Sequence, residues 1–364
     1  MHCKYQIGII GLFLSYLGFI LIFEILKNGY YLKFDLVGQK EVTVVDETLS
    51  DEFSAIVNNS SQNVSSGLNE STNKDKPVRR LPDALIIGVK KCGTGALREF
   101  IRLHPDVYAP STEVHFFDRW YDYGIHYYVS RLPLVEPGKL LLEKTPAYFH
   151  DEYVTNRLMR TFGPKIKFIV VVRNPVDRMI SDFVHDKILQ LFSPSFHSLA
   201  FTNNETGNLS INTAFGPVIR SSYIIHLRRF LQTGFNLTNF LFLDGENLVE
   251  NPAEELQRIE RFLDLRPMIT KSMFQYREEK GFPCVKNPFQ FADGSIREGG
   301  LGSKEKPQLC LGDDKGRPSD LKPKLTDEER EMFVRYFAPL NVQYFEATGT
   351  VYPKWQCYKK DKCV

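Results

Sequence analysis

No excess of either charge marks this sequence. Across 364 residues, 46 lysines and arginines stand against 44 aspartates and glutamates, for a net charge of +2. Overall charge therefore gives no argument for a polyanionic partner, and any anion site has to arise by local clustering. Internal repeats are absent as well, so nothing points to a solenoid or array. Histidines with ligand spacing are missing: His104, His126, His150, His185, His197 and His226 read as structural or surface residues. No strand end carries the carboxylate cluster a metal would need, so the sequence demands no metal.

What is present suffices for a core: 43% of residues are hydrophobic and 13% aromatic. Roughly 250 to 300 residues is the upper range for one domain, so a single folded body with an anchor and a stem fits the length. From Tyr5 to Phe23, about nineteen residues carry no charge, enough to cross a bilayer as a helix. The run exceeds an h-region of about 7 to 15 residues and no small-residue cleavage site follows, which favours an uncleaved signal anchor over residues 7–26 against a cleaved signal peptide. Residues 1–6 then form a cytoplasmic tail. Residues 27–80, with "NNSSQNVSSGLNESTNKDK", hold few residues that could support a core and read as a flexible glycosylated stem. The folded domain occupies residues 81–364.

The charges flanking the apolar run are nearly balanced and decide orientation poorly. Glycosylation acceptors are more informative. Asn58, Asn59, Asn63, Asn69, Asn204, Asn208 and Asn236 each begin an Asn-x-Ser/Thr triplet, and their spread favours a lumenal C-terminal body. Six cysteines suit that compartment. Cys284 and Cys310 share one Gly- and Pro-rich region, Cys357 and Cys363 lie close together at the tail, and Cys3 and Cys92 are expected to be unpaired; the pairing itself cannot be deduced from spacing.

Within the body, short apolar runs alternate with helical patterns. "DALIIGV", "KLLLEKTP", "KIKFIVVVRNP" and "FLFLDGENL" read as strands. Helices are expected through Ala96, Leu97, Phe100 and Ile101, in "EYVTNRLMRTF", after Pro175, in "SSYIIHLRRFLQTGF" and in "PAEELQRIERFLDL". Such alternation implies an α/β fold with a central parallel sheet flanked by helices. Ligands bind such sheets at the carboxyl ends of the strands, and three of those ends carry the basic segments "KKCGTGA", "EKTPAYF" and "RNPVDRMISDF".

Each segment holds a candidate for anion chemistry. The loop "GVKKCGTGA" leaves a strand and enters a helix, where backbone N–H groups form an anion cradle, glycines permit close approach and Lys91 adds charge. Thr94 is placed to cap the helix or donate to an oxygen. The Gly-Lys-Ser/Thr ending of a Walker A loop is missing, and no second acidic strand end is found, which argues against a kinase or NTPase. Arg173 ends the "IVVVR" strand, where a guanidinium can grip a phosphate in a bidentate way, or pair with Asp177 instead. Ser181 lies one to two turns into the next helix. The segment "STEVHFFDRW" sets Glu113, His115 and Asp118 among aromatic residues, a setting that can raise a carboxyl pKa toward the working range of a base. Tyr127, Tyr128, Phe333, Tyr336 and Phe337 fall at helical spacing and are expected in the core, while "LRRF" at residues 227–230 reads as a solvated helix face or a contact for an anionic chain.

In the order "GVKKCGTGAL", "HPDVYAPSTEVHFFD", "LLEKTPAYF", "RNPVDRMISDF", "LDGENLVENPAEEL" and "KGFPC…CLGDDKGRP", these segments resemble the heparan sulfate glucosamine 3-O-sulfotransferase family over nearly all of residues 81–355. The resemblance implies a P-loop-type sulfotransferase fold, 3'-phosphoadenylyl sulfate (PAPS) as sulfuryl donor, heparan sulfate as acceptor, and no role for nucleic acid. It casts Glu113 as general base, supported by His115 and Asp118, with Asp118 and Lys144 also facing the acceptor. It sets Lys91 and Lys144 at the donor and the transferring group, and residues Lys91, Cys92, Gly93, Thr94, Gly95 and Ala96 as the donor loop. Arg173 and Ser181 match the 3'-phosphate pair, Lys315, Gly316 and Arg317 a loop closing over the nucleotide, and Cys284 and Cys310 the family disulfide. Cys92 and Gly95 depart from the Gly and Arg of many relatives, and the stretches Ser193 to Thr213 and Cys284 to Cys310 are longer than usual. N-sulfation of the same polysaccharide is the near alternative, and a silent heparan-binding protein the distant one. The reading requires Lys91 and Arg173 to face one site with Glu113 nearby.

Overall fold

Continuous rather than alternating apolar runs build the centre of the molecule, as expected of strands covered on both faces. The structure is a computed structural model and describes residues 76–189, 194–203, 207–276, 282–286, 288–297, 308–310, 321–352 and 355. The expected anchor and stem, Cys3, the acceptors Asn58, Asn59, Asn63, Asn69 and Asn204, the Lys315 to Arg317 loop, and Cys357 and Cys363 lie outside the described residues. Among the described residues no helix is long and apolar enough to cross a membrane.

Strand β1 (Ala84–Gly88) is buried along its whole length and leads into helix α1 (Thr94–Ile101). A short β2 (Val107–Tyr108), a π-helical turn (Phe116–Trp120) and α2 (Gly124–Arg131) precede β3 (Leu140–Lys144) and α3 (Val154–Phe162). Next come β4 (Lys167–Val172), buried from Phe168 onward, and α4 (Pro175–Ile188). The order of the main sheet is β2-β3-β1-β4 followed by a strand over Phe240–Asp244 (β7), with every pairing parallel. The longer-than-usual stretch near residue 200 folds as α5 (Phe196–Ala200) and an antiparallel hairpin of β5 (Phe201–Asn203) and β6 (Leu209–Ile211). Helices α6 (Gly216–Ser221) and α7 (Tyr223–Gln232) lead to β7 (Phe240–Asp244), α8 (Gly245–Glu250) and α9 (Pro252–Phe262). Strands β8 (Phe274–Tyr276), β9 (Pro283–Lys286) and β12 (Gln308–Cys310) make a small antiparallel sheet, with β10 (Phe289–Gln290) and β11 (Ile296–Arg297) a separate pair. Register sets the backbone of Cys310 directly opposite Cys284. Helix α10 (Asp327–Thr348) closes the described fold.

Local chemistry explains the boundaries. Asn174 caps α4 by accepting from the N–H groups of Val176 and Asp177 at 3.0 and 3.4 Å, and Pro175 occupies the first turn, as expected. Thr326 and Glu329 form a reciprocal capping box at the start of α10. Two expected elements are shorter. The "FLFLDGENL" strand stops at Asp244, whose carboxylate caps α8 through the Glu246 N–H at 2.8 Å. The helix expected through "SSYIIHLRRFLQTGF" begins at Tyr223, because Ser222 leaves the helical region at φ −85, ψ 67. Phe333, Phe337 and Tyr128 are buried as expected; Tyr127 and Tyr336 are only partly so.

Gly245, the first residue of α8, packs directly against neighbouring backbone. A Cβ there would meet the Cys92 carbonyl oxygen at 2.6 Å and the Val172 carbonyl oxygen at 2.9 Å. Both are backbone atoms that cannot swing aside. Gly245→Ala is therefore expected to destabilise the domain by about 1–3 kcal/mol, a fall of about 2–4 °C per kcal/mol in thermal unfolding for a domain of this size. An unchanged melting temperature would contradict this packing.

Candidate functional site

Strands β3, β1 and β4 are neighbours, so Lys144, Lys91 and Arg173 follow three adjacent strand ends, with strands about 4.8 Å apart. Adjacency of these three strand ends is the part of the sequence reading that the sheet order carries.

The loop after β1 is tied to the sheet by the Val89 N–H, which donates to the Val171 carbonyl at 2.9 Å. Lys91 takes a left-handed backbone (φ 73), and Gly93 (φ 99) caps α1 without a side-chain hydrogen bond. The first N–H groups of α1 are thus left to an external acceptor, the usual origin of an anion site. Space is present: a Cβ on Gly95 would meet nothing within 4 Å, and one on Gly93 only Leu248 at 3.6 Å. Thr94 does not cap the helix; it is the first helical residue and is buried. Ala96 is half-buried on the same turn. Cys92 contributes shape rather than a donor, since its N–H is committed to the Val89 carbonyl at 3.1 Å and its thiol is turned inward. The sulfur lies 3.8 Å from the Tyr223 hydroxyl, and burial pushes the thiol up to about 12.

Arg173 does not pair with Asp177, which is instead bonded to Arg330 at 3.0 Å. Its guanidinium stands 3.7 Å from Glu246, and Glu246 accepts the Asn174 N–H at 2.9 Å. Burial pushes Glu246 up to about 7. Ser181 lies half-buried on α4, beyond the capped turn. Lys90 turns away from the loop to Asp182 and Asp186 at 3.3 and 2.8 Å. Beside it the fully buried Arg178 donates to the Lys90 carbonyl, Ser221, the Pro217 carbonyl and Asp182, and Arg220 bonds both aspartates. His226 is buried and His150 half-buried next to this network, and burial holds His226 at about 4. Sequence reading missed Glu246 and this network, because nothing in the spacing of single charges tells which will be buried in company.

At the end of β3 the remaining candidates form one chain. Lys144, nearly buried, donates to Glu113. The other oxygen of Glu113 lies 3.1 Å from His115 Nε2, and His115 Nδ1 lies 2.7 Å from Asp118. The expectation of a raised Glu113 pKa is overturned: burial does push it up, but the His115 hydrogen bond and the Lys144 charge outweigh it and hold the carboxyl at about 2. His115 is raised to about 9, chiefly by the hydrogen bonds to Asp118 and Glu113. Burial lowers Lys144 below its ordinary value, against the pull of Glu113. Glu113 is thus ionised at every working pH, and its basicity depends on whether Lys144 and His115 remain bonded to it.

Buried groups hold this chain in place. His115 has a left-handed backbone, and its N–H donates to Thr145 Oγ1 at 3.3 Å. Thr145 donates to the fully buried Glu143 at 2.5 Å, while the Phe116 N–H bonds the Tyr148 hydroxyl at 3.0 Å. The Arg119 and Trp120 N–H groups return to the His115 carbonyl at 3.1 and 3.2 Å, closing the π-helical turn. Because His115 is raised from its ordinary 6.5 to about 9, its charge stabilises the fold fully below the ordinary value and progressively less as pH climbs through 9. His115→Gln is expected to lower the melting temperature clearly near pH 6 and to have little effect near pH 10. A pH-independent loss would contradict the ion chain.

The alignment of this site with known proteins is broad. A family model described as a sulfotransferase domain matches residues 81–345. The chain is 42% identical over 271 residues to heparan sulfate glucosamine 3-O-sulfotransferase 6 of Mus musculus, covering 74% of this chain and 73% of that protein. It is 38% identical over 275 residues to heparan sulfate glucosamine 3-O-sulfotransferase 3A1 of Homo sapiens, covering 76% and 63%. Among solved structures, a sulfotransferase from Alicyclobacillus acidocaldarius superposes with a TM-score of 0.52 at 17% identity, over 76% of this chain and 99% of that one, a likeness of fold. With the domain matched from β1 into α10, the chain belongs to the heparan sulfate glucosamine 3-O-sulfotransferase family of sulfotransferases.

Proposed function

We propose that this protein transfers a sulfuryl group from PAPS to the 3-hydroxyl of glucosamine residues in heparan sulfate. The observation that carries this reading is the Asp118–His115–Glu113–Lys144 chain beside an uncapped helix N-terminus on the carboxyl edge of a parallel sheet. In-line transfer needs a base on one face of the sulfur, a leaving bisphosphate on the other, and cations over the equatorial oxygens. Glu113 takes the hydroxyl proton as the sugar oxygen bonds to sulfur, and the bond from sulfur to the donor's bridging oxygen breaks with its electrons going to the bisphosphate. Lys144 and Lys91 neutralise charge on the transferring group, with the α1 N–H groups beside them. Arg173 and Ser181 hold the 3'-phosphate, and Lys315, Gly316 and Arg317 are assigned to the nucleotide by the family resemblance alone. Asp118 fixes the imidazolium of His115, which orients Glu113.

Incubation of the detergent-solubilised full chain with radiolabelled PAPS and N-sulfated oligosaccharides, followed by disaccharide mapping, tests this. Label on the glucosamine 3-oxygen is expected. Label on nitrogen would replace the reading with N-sulfation, and magnesium-dependent ATP binding would reject sulfuryl transfer. The same proposal extends to a Golgi protein anchored by residues 7–26 through a stem to a lumenal body over residues 81–364. Exposed Asn208 and Asn236 suit glycan attachment there. An antiparallel register that sets Cys284 opposite Cys310 supports a disulfide between them.

A further inference from the structure

Large aromatic side chains are exposed immediately beyond the ion chain. Trp120 is 40% and Tyr123 65% exposed. Their ring centroids lie 5.7 Å apart, and Tyr123 lies 5.0 Å from Tyr127, over which Arg131 sits at 4.9 Å. Rings of this size are normally spent on burial, and exposed clusters of them mark a contact surface. The row is continuous with the reacting end of the site, because the Trp120 N–H is bonded to the His115 carbonyl and Arg119 Nε lies 3.6 Å from Asp118. Between residues 119 and 131 the charged side chains are Arg119, Asp122 and Arg131, so the row is flanked by cations at both ends.

We infer that Trp120, Tyr123 and Tyr127, with Arg119 and Arg131, form an outer subsite for a sugar of the acceptor chain other than the one that reacts. This rests on the proposed acceptor being an anionic polysaccharide. A pyranose ring presents C–H faces that pack on an aromatic face, and its sulfate and carboxylate groups suit guanidinium forks. A chain whose reacting hydroxyl sits at Glu113 has to leave across the adjoining surface, and this row is the part that joins the His115 turn. The subsite therefore rewards longer acceptors, while leaving the chemistry at Glu113 untouched.

Fluorescence makes the test direct, because the sequence has two tryptophans and the other, Trp355, is buried. Titrating the full chain with an N-sulfated octasaccharide is expected to shift Trp120 emission and protect it from iodide, whereas a disaccharide is not. In transfer assays, Trp120→Ala with Tyr123→Ala should cost about tenfold or more in kcat/KM on the octasaccharide. Activity on a tetrasaccharide and binding of adenosine 3',5'-bisphosphate should hold. Equal loss on short and long acceptors, an unshifted emission, or protection by anionic vesicles instead of saccharide would overturn the subsite. Wild-type protein that transfers to no oligosaccharide would instead remove the function on which it rests.

Discussion

Replacing Glu113 by Gln should lower turnover by about 10²–10⁴-fold, the usual contribution of a positioned base, while adenosine 3',5'-bisphosphate binds as before. Gln has the same shape but a single acceptor oxygen, so it keeps either the Lys144 or the His115 bond; the shape of the site survives and the proton acceptor is lost. Because Lys144 and His115 hold the carboxyl at about 2, the wild-type enzyme should show no acid limb from this group in the neutral range. Turnover near that of wild type, measured with labelled donor at saturating acceptor, would remove Glu113 from the role.

Lys144→Ala carries the second large effect, with an expected loss of about 10²–10³ in kcat. Lys144 lies nearly buried between a carboxylate and the strand end, where a cation facing developing charge is little screened by water. Engaging the transferring group would draw its ammonium from Glu113, and the carboxylate, released from one of two partners, becomes a stronger base as the donor side is occupied. The variant should therefore bring the acid limb of kcat/KM up from where the ion pair keeps it. Glu113→Gln combined with Lys144→Ala should cost far less than the product of the single losses, since each acts through the other. Multiplicative losses in the double variant would separate them.

The fold was legible where chemistry is local. A run such as Phe168 to Val172 has one sensible fate, and the Pro175 and Asn174 pair marks a helix start whatever surrounds it. The adjacency of the strand ends that bear Lys91, Lys144 and Arg173 followed from a general rule of parallel sheets. Harder to read was the balance at Glu113: its aromatic neighbours suggested a raised pKa, but the His115 hydrogen bond, together with the charge of Lys144 from 31 residues away in sequence, reverses the sign. Glu143, beneath the His115 turn, gave no signal either. A carboxylate at the end of an apolar strand looks like a surface charge until Thr145 and Tyr128 are seen to bond it, and burial pushes it up to about 7.

Cys92 sits in the loop between β1 and α1 of a protein proposed to work in an oxidising compartment. Its sulfur is sealed behind Tyr223 and stays protonated far above neutral pH, and thiolates, not thiols, attack disulfides and alkylating reagents. Once folded, the residue is thus chemically mute: it neither exchanges with cystine bridges nor serves as a handle for redox control of catalysis.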